Sequence, residues 1–312
     1  MNLITALIII IGLSLFEIIN SVDNAIINAE VLSTMKKSSR RWFTTWGLFL
    51  SVVLVRGLLP FLIVWILNPG SGLIKTIINV VKSGPEIATS LDRSAPYLLI
   101  LGGILMLFIF FHWLFLEDKN FGLPGERFIA RQGVWFYAVV SAILSFIVWK
   151  AIKTDPVLAF AAVVGSTVFF ITHGFKSQAE LAEKKLLKKS MSDMAKILYL
   201  EVIDMTFSID GVLGSFAFTF YVPLILLGNG LGALVLRQIT ISNIDRIKKF
   251  IFLKNGAMYS IFFLGLVMTL ESFDFHIPFW FSPLITSIIV TYFYRKSKIP
   301  TKVLLDSAAS SR

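Results

Sequence analysis

The sequence predicts an all-α, polytopic membrane protein of about nine transmembrane helices, arranged as two inverted-topology repeats. Three observations carry that prediction. The 312 residues are 56% hydrophobic and only 15% charged, whereas soluble domains run to about 45–50% apolar and about 25% charged. Apolar runs long enough to cross a bilayer recur along the whole chain. Two of those runs carry the same pattern of acidic residues.

The spans fall at about 3–31, 43–67, 96–116, 133–152, 155–175, 195–220, 221–241, 257–273 and 278–294. The first is too long for a signal peptide and lacks a basic lead and a small-residue cleavage site, so it is expected to stay as a helix. Between spans 2 and 3, SGLIKTIINVVKSGPEIATSLDRSAP is amphipathic and is expected to rest on the membrane surface or cap the bundle. The chain reads as a single transmembrane domain, 1–312. Repeat 1 covers about 1–116, and linking helices occupy 133–175. Repeat 2 covers about 195–294, and 295–312 form a tail.

Positive charge alternates from loop to loop. The loops after spans 1, 3, 5 and 7 and the C-terminal tail hold 21 Lys and Arg, against five on the other side. The positive-inside rule then places the N-terminus outside and the C-terminus in the cytoplasm. The net charge of +10 belongs to these short loops and to contact with anionic membrane lipid, not to nucleic acid. The run AELAEKKLLKKSMSDMAK reads as a solvated or interfacial helix. Cysteine is absent from the sequence, which removes disulfides, thiolate metal sites and thiol nucleophiles.

The opening stretch FEIINSVDN matches residues near 200–211. Glu17, Ser21, Asp23 and Asn24 align with Asp204, Ser208, Asp210 and Gly211, an offset of 187 residues. The following helices match at an offset of 181, pairing Gly47 with Gly228 and Arg56 with Arg237. Spans 1 and 6 cross in opposite senses, so the copies are inverted, an architecture shared by many secondary transporters. At about 100° per residue, Glu17, Asn20, Ser21, Asn24 and Asn28 share one helical stripe, as do Glu201, Asp204, Ser208 and Ser215. Asp23 and Asp210 fall off those stripes. Either the helices unwind there, or each second acid faces a different neighbour; spans 1 and 6 are expected to be broken at the midplane, near 20–24 and 207–214, eased in span 6 by Gly211 and Gly214.

Intramembrane charges are costly and mark function. Glu17, Asp23, Glu201, Asp204 and Asp210 face two arginines, Arg56 and Arg237. Three negative charges remain, which a divalent cation and a shared proton would offset. Carboxylate, amide and hydroxyl oxygens suit Mn²⁺, Mg²⁺ or Ca²⁺, and without Cys or His in either motif Zn²⁺ and Cu⁺ are disfavoured. The cation is cargo; no prosthetic group is expected. His112 with Glu117 and Asp118, and His173, read as interfacial residues at helix ends.

In these two motifs the chain resembles the TerC family of integral membrane proteins, the tellurite-resistance group placed with LysE-type exporters. Glu17, Ser21, Asp23 and Asn24 match its first motif; Glu201, Asp204, Phe207, Ser208 and Asp210 match its second. The 68–95 and 117–132 segments depart from the pattern, marking a divergent branch. The resemblance implies export of a metal ion, most plausibly Mn²⁺, from the bacterial cytoplasm across the plasma membrane, with Glu17, Asp23, Asn24, Asp204 and Asp210 as its ligands, Glu201 nearby, and Asn20, Ser21, Ser208, Arg56 and Arg237 in support. Two other readings stand beside it: an exporter of a small organic cation or amino acid, and a membrane scaffold that assists other membrane proteins or forms a homo-oligomer. An enzyme is not expected, since HExxH, a GxSxG elbow and thiols are all missing.

Overall fold

The computed structural model describes residues 2–21, 31–32, 34–47, 85–186, 192–247 and 250–297, with backbone only at 44, 85–93, 176–186, 203–210 and 239–247. The described residues are helical, without strands. In chain order the helices are α1 (Leu3–Asn20), α2 (Lys37–Trp42, continued by a π-helical turn Phe43–Gly47), α3 (Pro85–Leu116), α4 (Glu126–Ala130) and α5 (Trp135–Ile152). There follow α6 (Pro156–Leu186), α7 (Asp193–Ser215), α8 (Val222–Ile247), α9 (Leu253–Glu271) and α10 (Phe281–Ser297). Among the described residues, five stretches are long and apolar enough to span a bilayer: Leu3–Asn20, Ser94–Leu116, Trp135–Ile152, Pro156–Phe175 and Leu253–Glu271. The chain is a helical, membrane-embedded protein.

Eight of the nine predicted spans have a helical counterpart; most of span 2 lies outside the described residues. The boundaries follow local chemistry. Asn2 caps α1 by accepting from Thr5 N at 2.8 Å, and Ser192 caps α7 by accepting from Ala195 N at 3.3 Å, so each satisfies an amide the helix leaves free. Spans 6 and 7 divide between Ser215 and Val222, as expected. One boundary differs. From Pro85 onward, the segment expected to lie on the membrane surface forms the first turns of α3, a 32-residue helix that accommodates Pro96.

α3 lies at the centre, against α6 and α9, while α5 and α6 carry the exposed apolar belt: Trp135, Phe146, Trp149, Phe160 and Phe170 all face outward. A wide apolar outer surface is what lipid contact requires. Lipid gives helices no hydrophobic drive to associate, so close packing at small residues does that work. On α3 this is literal. A Cβ on Gly103 would sit 3.0 Å from Gly265 O, and one on Gly265 would sit 3.1 Å from Gly103 O. The contact is reciprocal, as at a two-fold axis. Gly102 meets Met268 and Gly265 meets Met106, so α3 and α9, the third long helices of the two repeats, run antiparallel.

The motif helices obey the same relation. Gly214 of α7 meets Phe16 of α1, and Gly211 meets Glu17 and Asn20, so α1 and α7 are antiparallel. Gly228 of α8 meets Leu13, and Gly232 meets Glu17, so α8 runs parallel to α1. One contact is even made twice in the register of the sequence repeat. Ser14 Oγ donates to Gly228 O at 2.9 Å, while Glu201 packs on Gly47. Ser14 and Glu201 differ by the first offset, and Gly47 and Gly228 by the second.

The expected break in α7 is corrected. α7 is continuous from Asp193 to Ser215, and its glycines serve another purpose: Gly211 and Gly214 are the points where α1 crosses. The regular part of α1 ends at Asn20, where irregularity was expected to begin, and Ser21 returns its amide to Glu17 O at 3.0 Å. Residues 22–30, where the rest of that expectation falls, lie outside the described residues.

Candidate functional site

Glu17 occupies the junction of α1, α7 and α8 and is completely buried. Two glycines make room for it. On one side, a Cβ on Gly211 would stand 3.2 Å from Glu17 Oε2 and 3.4 Å from Asn20 Nδ2. On the other, a Cβ on Gly232 would stand 2.7 Å from Glu17 Cβ. Ser21, one turn on, donates its hydroxyl to Glu17 Oε1 at 2.8 Å. The first motif thus supplies a buried carboxylate, a hydroxyl that orients it and the half-buried Asn20. The glycine of the second motif presses against that carboxylate.

Because α7 is unbroken, positions 201, 204, 208, 211 and 215 share one face of it. Gly211 identifies that face as the one toward α1. Position 210 lies about 100° round from 211. Glu201, at 4% exposure, lies against the π-helical turn, where a Cβ on Gly47 would collide with its carboxylate. Arg237 donates to Phe43 O at 3.1 Å and lies over the Phe43 ring, 4.2 Å from its centroid. It therefore braces α8 against the same turn. Asp23, Asn24 and Arg56 lie outside the described residues. Asp204, Ser208 and Asp210 lie in the backbone-only stretch of α7. Among the described residues, no three acids or histidines converge as a metal-binding group.

Sequence reasoning missed the walls of this junction. Gly232 and Gly228, four apart on α8, were legible as a small-residue stripe, and Gly47 had been noticed only for its repeat partner. Another feature was hidden by sequence distance. The His112 and His173 rings lie 3.9 Å apart, His112 one turn before the end of α3 and His173 within α6, which runs on to Leu186 and does not end at His173 as expected. His112 Nδ1 is 3.3 Å from Glu117 Oε1, and Lys254 Nζ is 2.9 Å from Glu117 Oε2. This polar end of the bundle continues to Glu126, only 2% exposed. It accepts from Gly122 N at 2.6 Å, Tyr259 Oη at 2.8 Å and Asn255 Nδ2 at 3.3 Å. Lys119 donates to Trp113 O and Leu114 O, closing the C-terminal end of α3. Burial is the main cause that pushes its amine down to about 8, against the opposing pull of Glu126 and Glu117. One end of the bundle is thus a hydrogen-bonded cap, and its middle holds a carboxylate enclosed by glycines.

The family of proteins of unknown function DUF475 matches residues 22–302. Searches among characterised proteins and among solved structures each returned no match. The match covers most of the chain, which therefore belongs to that family.

Proposed function

We propose that this DUF475 family member is a divalent metal-ion transporter rather than an enzyme, and that its cargo is a hard cation, Mn²⁺ before Ca²⁺ or Mg²⁺. The single observation that supports this best is the Glu17 carboxylate, fully buried within a membrane-embedded bundle, where the two motif helices cross antiparallel. A charge in that position is expensive, and chains that retain one generally use it. Oxygen ligands from Glu17, Asp23, Asn24, Glu201, Asp204 and Asp210 would hold the ion, with Asn20, Ser21 and Ser208 orienting them. Arg56 and Arg237 would balance charge. The resemblance of both motifs to the TerC family supports outward transport from a bacterial cytoplasm, across the plasma membrane, with the N-terminus outside. The excess of acids over arginines supports exchange against protons.

The mechanism follows from antiparallel helices around one site. α1 and α7 can each lend carboxylates from opposite sides of the midplane, so rocking one repeat against the other changes access without dismantling the site. The glycine crossings at 211, 214, 228 and 232 would ease such sliding, because α7 and α8 present no side chain of their own to Phe16, Leu13 and Glu17 there. The test is Mn²⁺ flux into proteoliposomes by the full chain beside Asp210→Asn, with and without a pH gradient. Flux by the wild type alone, faster with the gradient, is expected. Equal flux by the variant would remove Asp210 from the site. Absence of flux with Mn²⁺, Ca²⁺ and Mg²⁺ alike would overturn the transport reading.

A further inference from the structure

Asn229 follows Gly228 on α8 and is completely buried. Its Nδ2 donates to Ser215 Oγ at 2.8 Å. Ser215 Oγ donates in turn to Gly211 O at 2.7 Å. Together the two bonds settle which end of the carboxamide faces Ser215. A main-chain carbonyl only accepts, so the Ser215 proton is committed to Gly211, and toward Asn229 the hydroxyl can only accept. Asn229 therefore presents its NH₂ to Ser215 and turns Oδ1 away. That oxygen is buried and accepts no hydrogen bond among the described residues. A buried acceptor without a protein partner inside a membrane is destabilising, which makes it a position held for a reason.

Two further observations point that reason toward the ion. The repeat pairs Asn229 with Leu48, so the symmetric helix packing does not itself demand an amide here. The chain of bonds from Asn229 also ends on Gly211, the residue that touches Glu17. Ser215 lies one helical turn beyond Gly211, roughly 6 Å along α7. Asn229 is thus tied to the α7 face that carries Gly211, a turn farther toward the C-terminal end of α7. An amide oxygen is a hard, neutral donor, suited to Mn²⁺, Ca²⁺ or Mg²⁺ and adding no charge to a site already rich in acids.

We propose that Asn229 Oδ1 is a further ligand of the transported divalent cation, placed one helical turn beyond Glu17 on the α7–α8 side of its path. This rests on the transport reading above. It also makes the two repeats unequal: the second contributes a neutral oxygen where the first has only Leu48.

The test is equilibrium binding of Mn²⁺ to the purified full chain, read from the EPR signal of free Mn²⁺. Wild type is compared with Asn229→Leu, Asn229→Asp and Asp210→Asn, alongside thermal unfolding of each. Asn229→Leu copies the residue of repeat 1 and removes the oxygen. It is expected to weaken Mn²⁺ binding by about tenfold or more in a protein that still elutes as a single folded species. Asn229→Asp keeps an oxygen there and is expected to bind at least as tightly as wild type at pH 7.5, and more weakly as the pH falls. Wild-type affinity in Asn229→Leu would overturn the proposal, leaving Asn229 as a helix-to-helix hydrogen bond. Should Asn229→Leu not fold, weaker binding by Asn229→Asp, or an unchanged pH profile, would overturn it instead. The outcome in which Asp210→Asn loses Mn²⁺ while Asn229→Leu keeps it removes this inference and spares the transport reading. A wild type that binds none of Mn²⁺, Ca²⁺ and Mg²⁺ removes both.

Discussion

The helix crossings of α3 and those of α1 use the same device for opposite ends. Where α3 meets α6 and α9, glycines bring backbone onto backbone. A Cβ on Gly165 would stand 2.5 Å from Leu101 O, and Gly103 and Gly265 face each other reciprocally. Those spaces are filled with Met106, Met268 and Thr269, and nothing charged enters them. Where α1 meets α7 and α8, glycines stand instead against a carboxylate, at Gly211 and Gly232. The comparison teaches that a small residue in a membrane helix has two meanings. It can lock two helices together, or it can make room for a buried carboxylate.

The sharpest way to break this comparison is to add one methyl to each crossing. Gly165→Ala is expected to be the most damaging, since its new Cβ meets main chain that cannot swing aside. Overpacking of that kind costs about 1–3 kcal/mol, and thermal unfolding in detergent would show a large drop. Gly211→Ala adds the same methyl where the nearest atom is the end of the Glu17 side chain, which can move by a few tenths of an ångström. Its unfolding temperature is expected to stay near wild type while Mn²⁺ flux falls about tenfold. A Gly211→Ala protein that loses stability and keeps flux would reverse the assignment of the two crossings.

A smaller effect separates the capped end of α3 from the carboxylate junction. Lys119 is half-buried among carbonyls and lies near Glu117, Glu126 and Lys254, and its amine is pushed down to about 8 from an ordinary 10.5. Between those pH values the unfolded chain still holds the proton that the folded chain has released. Stability contributed at this residue therefore rises with pH from about 8 to 10.5. Pulsed amine labelling read by mass spectrometry is expected to show half-maximal reactivity at Lys119 near pH 8. A profile like that of an exposed surface lysine would show that the cap is looser than described.

Much of this fold was legible in the sequence because lipid imposes simple rules. Long apolar runs had to be helices, and eight of the nine have helical counterparts. The repeat was legible from its offsets, which return as physical contacts in Ser14 on Gly228 and Glu201 on Gly47. What misled was the meaning of glycine. Gly211 and Gly214 read as weak points of a helix, but a helix flanked by neighbours uses glycine for approach, so α7 passes through without a break. The pairing of His112 with His173, and that of Gly103 with Gly265, could not be read at all. Each joins residues far apart in the chain, and only the tertiary packing brings them together. For the candidate site, the sequence supplied Glu17, Ser21 and Glu201 but not the glycine walls or the orphaned oxygen of Asn229.

The central claim is that Glu17 is buried to bind an ion and not to hold helices together. The most direct test is Mn²⁺ flux through proteoliposomes containing Glu17→Gln, a change that keeps the size of the side chain and removes its charge. The account predicts a protein that inserts and unfolds like wild type and carries no Mn²⁺. Wild-type flux through Glu17→Gln would contradict it and leave the carboxylate as part of the packing.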